Sequence, residues 1–343
     1  MNNEKIQQLA PSNSPEGGEL WDVQKSTGCN KSQSAKASPL GRFGGALRFR
    51  GSFFLLLFLP LSLNAQLLWR IEGNNLSAPS YLFGTHHLIP VDFLESHPQV
   101  LRAFTRTQTV IGEIAMYRIE ASEQIMRASM LPQGVTMENL LTEEDWLLVD
   151  LELRSTIQMG LRELGMMRPM AINMLYTVAL YSQTAEIAGE VQLDSYFQML
   201  ALQADKRIIG LETVEQQMEV LFGSSLEREA EMLVKTVRLR NETVAGIKEL
   251  NRLYKAGKLD ELMKMAQNQD SPTAMTAEEF ARLNCNRNHA WMEILPDLMR
   301  ESPSFIAVGA LHLPGENGLI NLLRRQGFRV SEVRNDAERR RRR

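Results

Sequence analysis

Three histidines and two glutamates follow short apolar runs, the places where a chain delivers side chains to a crevice instead of packing them away. Residues 80–90, Ser-Tyr-Leu-Phe-Gly-Thr-His-His-Leu-Ile-Pro, carry an apolar run to Gly84 and then present His86 and His87. The spacing Gly84-x-x-His87 recurs far downstream as Gly309-x-x-His312, again directly after an apolar run, Phe305-Ile306-Ala307-Val308. Glycine lets the backbone turn sharply where a strand ends, and residues that follow parallel strands line the crevice of an open α/β sheet. Two histidines of one pattern therefore point to one site that gathers ligands. Because they follow strands, they are expected to stand clear of the core. Glu113 closes the run Thr109-Val110-Ile111-Gly112, and a parallel crossover after His87 carries it to the same sheet edge. Glu212 ends Arg207-Ile208-Ile209-Gly210-Leu211 in the same way, although Thr213 begins a helix whose amino terminus an acid also satisfies. Arg287, on a helix read over 276–299 with Asn288 and Trp291, holds an anionic intermediate if that face meets the crevice and is a surface arginine if it does not.

The elements that must position these groups are those of an α/β domain over residues 66–334: a mixed β-sheet with a large helical insertion and the site at one sheet edge. A strand at 67–71, the turn-prone Gly73-Asn74-Asn75 and the strand ending at His87 read as a hairpin. Residues 120–300 carry apolar positions at three- and four-residue spacing and read as helices, including Trp146 to Leu164, Pro169 to Ala188 and Ser195 to Ala204, the last preceded by Asp194. Met174, Leu175, Val178 and Tyr181 share a face that reads as core. Strand 305–308, helix 318–326 with Gly327 as its carboxyl cap, and strand 328–333 close the domain as a β-α-β unit.

Residues 1–45, rich in Ser, Gly, Asn, Lys and Pro, lack a periodic apolar face that could offset ordering entropy. Arg48-Phe49-Arg50, the apolar run Ser52 to Leu63 and then Asn64-Ala65 read as a signal peptide over 46–65, cleaved near Ala65; the run falls short of the roughly 20 residues a spanning helix needs. A start codon assigned too far upstream, with initiation nearer Leu47, accounts for the hydrophilic segment ahead of it. Of the two cysteines only Cys285 survives such cleavage, which leaves no internal disulfide and points to an exported periplasmic or envelope protein of a bacterium. A net charge of −3 without an aromatic-interleaved basic patch argues against nucleic acid as a partner. Arg339 to Arg343, within a tail at 335–343, read as solvated, with peripheral contact to anionic lipid as the alternative.

The two Gly-x-x-His elements, Glu113, Asp194, the stretch Gly210-Leu211-Glu212-Thr213-Val214-Glu215-Gln216-Gln217, the pair Arg287-Asn288 and the closing Val308-Gly309-Ala310-Leu311-His312 together resemble the family named after TraB, PrgY and GumN. That family is related to the TIKI metalloproteases. The resemblance implies a divalent-metal site (Mn, Co or Zn) built from His87, His312 and Glu113, with His86 as second-choice ligand because it occupies a variable place in the first motif. It implies a hydrolase acting on a peptide or protein: a metal-activated water attacks an amide carbonyl, Glu113 or Glu212 moves the proton, and Arg287 steadies the oxyanion. A non-catalytic envelope protein that captures a peptide or metal in the same crevice is the competing reading. His-Glu-x-x-His, Gly-x-Ser-x-Gly and the phosphate-cradling glycine loop are all absent from the sequence.

Overall fold

The computed structural model describes residues 67–334 apart from 118, 184–192 and 272–273. The segments read as an amino-terminal extension and a signal peptide, the end of the helix read over 169–188, the side chain of Asp194 and the arginine tail lie outside the described residues. Six strands, β1 (Leu68–Glu72), β2 (Ser80–Thr85), β3 (Thr109–Gly112), β4 (Arg207–Gly210), β5 (Ser304–Gly309) and β6 (Arg329–Glu332), form one sheet in the order β4-β3-β5-β2-β1-β6. β4, β3, β5 and β2 run parallel, while β1 pairs antiparallel with both β2 and β6. β2 and β3 are buried along their whole length, which is why they read as continuous apolar runs without alternation. The hairpin from β1 to β2 forms as expected, with Gly73, Asn74 and Asn75 all at positive φ in its turn, a region that glycine and asparagine tolerate best.

The parallel crossovers bring the carboxyl ends of β2, β5, β3 and β4 to one edge, the arrangement the strand-end acids and histidines require. β4 comes from within the helical stretch, so that stretch is not a simple insertion: the chain returns to the sheet at 207–210 and leaves again. One register detail governs the two Gly-x-x-His motifs. Gly84 lies opposite Val308 and Gly309 opposite Thr85, a stagger of one residue that turns the two glycines toward opposite faces of the sheet. A Cβ on Gly84 would come within 3.0 Å of the Ala310 backbone, whereas one on Gly309 would come within 3.2 Å of a Glu113 carboxylate oxygen. The same sequence pattern thus makes room for backbone in one motif and for an acid in the other.

The main core covers the sheet, and the insertion has a second core of its own, in which Val149, Leu153, Ile172, Tyr176, Leu180 and Leu233 are fully buried. Among the described residues, no helix is long and apolar enough to cross a membrane. Three expectations need correction. The helix read from Trp146 to Leu164 is two, Glu143–Ile157 and Leu161–Leu164, parted by Gln158 at φ 62° and by Gly160, whose missing side chain leaves room for Asp150 and Arg154. On Pro169–Gln183, Met174 and Val178 are exposed, and the buried line is Ile172, Tyr176, Leu180 and Tyr181. The helix read over 276–299 starts as Ala277–Phe280, widens into a π turn at Ala281–Cys285 and resumes as Asn286–Glu301. Inserted π turns recur at functional sites because the added residue re-aims the side chains that follow.

Candidate functional site

β3 and β4 continue to pair beyond their strand ends, with the Leu211 amide donating to the Gly112 carbonyl and the Glu212 amide to the Glu113 carbonyl, both at 3.0 Å. Parallel pairing at that register sets Glu113 and Glu212 side by side. Gln198 braces the loop behind Glu113, donating to the Ile114 carbonyl at 2.9 Å and accepting from the Met116 amide at 2.8 Å. Thr213 caps the next helix by exchanging hydrogen bonds with Gln216, so Glu212 is released from that duty and points into the site.

Arg287 enters from the helix Asn286–Glu301 and joins the two acids. Its Nη2 donates to Glu113 Oε2 and Glu212 Oε1, its Nε donates to Glu212 Oε2 at 3.1 Å, and its Nη1 donates to the Leu283 carbonyl at 3.2 Å. The guanidinium also lies over the Trp291 ring at 4.7 Å, and the Trp291 indole N–H donates to Glu212 at 3.2 Å. Arg287 is therefore no surface residue; its side chain is 9% exposed, against 12% and 7% for the two glutamates.

His312 completes the cluster. It lies in the short turn Ala310–His312 after β5, with Nε2 3.2 Å from Arg287 Nη1 and 3.9 Å from Glu113 Oε1. Its ring packs 4.5 Å from that of Trp291. At 6% exposure His312 belongs to the packed interior, contrary to the expectation that strand-end histidines stand clear of the core. Glu113 Oε1 accepts the Gly309 amide at 2.8 Å and Oε2 accepts the Gln217 side chain at 3.1 Å.

Burial alone would raise the Glu113 carboxyl, but the surrounding His312, Arg287 and His87 and the Gly309 N–H outweigh it and hold the group at about 2. Burial pushes His312 down to about 4; Glu113 opposes this, while Arg287 and His87 reinforce it. At neutral pH Glu113 is thus a carboxylate and His312 a neutral imidazole, both beside the Arg287 guanidinium.

The structure unites four of the expected residues, Glu113, Glu212, Arg287 and His312. His87 is exposed, and it is close enough to bear electrostatically on both Glu113 and His312. His86 turns elsewhere: its Nδ1 accepts the Leu88 amide at 3.0 Å, and its ring packs against Tyr254 and Tyr181. Among the described residues no three His, Cys, Asp or Glu side chains converge closely enough to hold a metal ion. The chemistry of the donors nonetheless fits a divalent ion. Glu113 is ionised and His312 is neutral, the forms in which these side chains ligate a metal, and their nearest donor atoms lie 3.9 Å apart, within about 0.5 Å of the roughly 3.4 Å that two bonds of about 2.1 Å subtend at a tetrahedral ion. Gln217, Asn284, Asn288 and the Trp291 indole are site residues to which the sequence reading assigned no part. Asn284, Asn288 and Trp291 could have been found as polar or amphipathic residues on the inward stripe of a helix.

A model of the TraB/PrgY/gumN family matches residues 67–332, the whole span from β1 to β6. The chain belongs to that family. Among curated proteins, this TraB/PrgY/gumN member is similar to "Metalloprotease TIKI1" of Xenopus tropicalis, 25% identical over 77% of the chain, and to "Metalloprotease TIKI1" of Danio rerio, 24% identical over 78%. The matches cover 60% and 63% of those proteins' own lengths, so the chain spans less than two thirds of either. No solved structure matches it significantly.

Proposed function

We propose that this protein is a metal-dependent hydrolase of peptide or related amide bonds, acting in the bacterial envelope after removal of a leader near Ala65. The observation that carries the reading is the pairing of an ionised Glu113 with a neutral His312 in a buried cluster, in a chain similar to proteins named metalloproteases. His312, Glu113 and His87 are the residues that would hold the ion; Mn, Co and Zn all accept such nitrogen and oxygen donors. A bound divalent ion supplies a water of lowered pKa and a Lewis acid for the carbonyl.

The chain's own groups divide the remaining tasks. A carboxyl held at about 2 has little affinity for a proton near neutrality, so Glu113 serves as a fixed negative charge and not as the proton acceptor. Glu212 anchors Arg287 through both its oxygens and keeps the guanidinium aimed at the pocket, where it favours negative charge developing on a substrate oxygen. His87, exposed and close enough to act electrostatically on Glu113 and His312, would complete the ligand set from the solvent side.

A second reading has an observation in its favour. Arg287 already donates to Glu113 and sits against His312 Nε2, the lone pairs an ion would need, as in a crevice that holds a peptide through the guanidinium without turning it over. Metal analysis of the purified mature protein, followed by peptide-library cleavage with and without chelator, separates the two. Chelator-sensitive cleavage supports the hydrolase; bound peptide or metal without turnover supports the binding protein.

A further inference from the structure

Arg287 and Asn288 are consecutive, yet they reach the two different nitrogens of the same histidine. Asn288 is fully buried, and its Oδ1 lies 2.7 Å from His312 Nδ1. Its Nδ2 donates to the Asn317 carbonyl at 2.8 Å and to the carbonyl of His312 itself at 3.2 Å. Those two carbonyls accept only, so they fix which end of the amide is nitrogen; turned over, the amide would set its oxygen against both. The oxygen must then face Nδ1, and Nδ1 must carry the ring proton. On the other side of the ring, Arg287 Nη1 is 3.2 Å from Nε2, and a guanidinium only donates, so Nε2 must be the unprotonated nitrogen. Both contacts select one tautomer. Asn284, one turn earlier on the same face, donates to the Leu311 carbonyl at 2.9 Å, and Trp291, one turn later, walls the ring, so the helix grips residues 311–312 at three successive turns.

We propose that Asn288 is a positioning residue: its side-chain amide locks His312 as the Nδ1-protonated tautomer and sets the ring plane, so that Nε2 is left bare on the side of Arg287 and Glu113. This deepens the hydrolase reading, which needs Nε2 as a donor atom, but the tautomer itself is independent of metal and of turnover. Hydrogen-bonded partners behind a ligating imidazole orient it and raise its basicity, and their loss weakens metal binding by roughly 10- to 100-fold. The Asn288 amide holds the ring in place without adding a further negative charge to the pocket.

The test is long-range proton–nitrogen correlation NMR of the metal-free protein, expressed over residues 66–343 and labelled with nitrogen-15 in the imidazoles, at pH 7.5. The chain has five histidines, and a His312→Gln variant assigns the signal. The parent is expected to show His312 protonated at Nδ1 and bare at Nε2. Asn288→Leu is expected to release Nδ1 and admit a share of the Nε2-protonated ring that Arg287 alone then opposes, and Asn288→Ala to do the same with a smaller steric change. A parent ring protonated at Nε2 overturns the proposal, as does an unchanged tautomer in a folded Asn288→Leu. If Asn288→Leu fails to fold, the parent spectrum and that of Asn288→Ala still decide. Zinc titration of the same proteins separates this proposal from the functional reading: a locked tautomer without zinc binding keeps Asn288 as positioned here and removes the metal site.

Discussion

Replacing Arg287 by methionine keeps most of the volume of the side chain and removes the one cation shared by Glu113 and Glu212. Both carboxylates are nearly buried, so each is left with a charge that water reaches poorly. Taking away one partner of a buried ion pair costs about 3–5 kcal/mol, most of it the penalty of the stranded charge. The guanidinium's seat over Trp291 adds about 0.5–1 kcal/mol. Gln217 and the Gly309 amide still serve Glu113, and the Trp291 indole still serves Glu212, so the lower half of that range applies and the expected loss is about 4 kcal/mol. That is a large share of the roughly 5–15 kcal/mol that holds a typical domain folded. Urea unfolding at pH 7.5 measures it. The double variant Arg287→Met with Glu212→Gln should recover about half, because one stranded charge is gone while Glu113 remains. A single-variant loss below about 1 kcal/mol, or a double variant no better than the single, would refute the view that Arg287 neutralises the pair.

Other outcomes follow from the same cluster. His312, held at about 4 instead of the ordinary 6.5, takes up its proton in the unfolded chain first, so stability is full above pH 6.5 and lost as the pH falls toward 4; Glu113, held at about 2 instead of 4.5, adds a loss between 4.5 and 2. Each window is worth about 3 kcal/mol, and a urea midpoint that rises between pH 7 and pH 5 contradicts the assignment. Gly309→Ala should push Glu113 aside, since the new Cβ would lie 3.2 Å from its oxygen; weakened zinc binding in a titration, with the fold retained by circular dichroism, checks it. His87→Ala and His312→Gln should each abolish bound metal and chelator-sensitive hydrolysis together, with unfolding destabilised only for the buried His312; unchanged affinity in both removes the metal site. Amino-terminal sequencing of the protein from cell envelopes should begin at or near Gln66, and residues 1–45 on the mature chain would sink the export reading.

The strands were legible because β2, β3 and β5 are buried on both faces and so appear in the sequence as unbroken apolar runs closed by glycine. Glu113 and His312 were legible for the same reason. Glu212 was ambiguous until Thr213 and Gln216 were seen to cap the helix between them. The repeated Gly-x-x-His pattern led to matched histidines, but the one-residue register stagger between β2 and β5, invisible in either motif alone, sends His312 inward and leaves His87 exposed. Asn288 was visible in the pair Arg287-Asn288 but given no part, and the π turn at Ala281–Cys285 breaks the regular period that would have set Asn284 on the same stripe. On Pro169–Gln183 nearly every position is apolar, so no stripe marks the inner face, and Met174 and Val178 were assigned to the wrong one.

The distances along the chain that this site spans bear on when it can exist. Glu113 is held by Gln217 across 104 residues, by Arg287 across 174 and by the Gly309 amide across 196. Contacts of such separation close large loops, and the entropy of closing them must be met before any bond repays it, so they form late in folding. A chain emerging from its amino end has β1, β2 and β3 in hand long before β5, which lies between β2 and β3 in the finished sheet. Until that central strand arrives, Glu113 lacks the Gly309 amide and the His312 imidazole, even though Arg287 has already emerged. No fragment that stops short of His312 can carry the cluster, and the pocket assembles only when the last strands have been delivered.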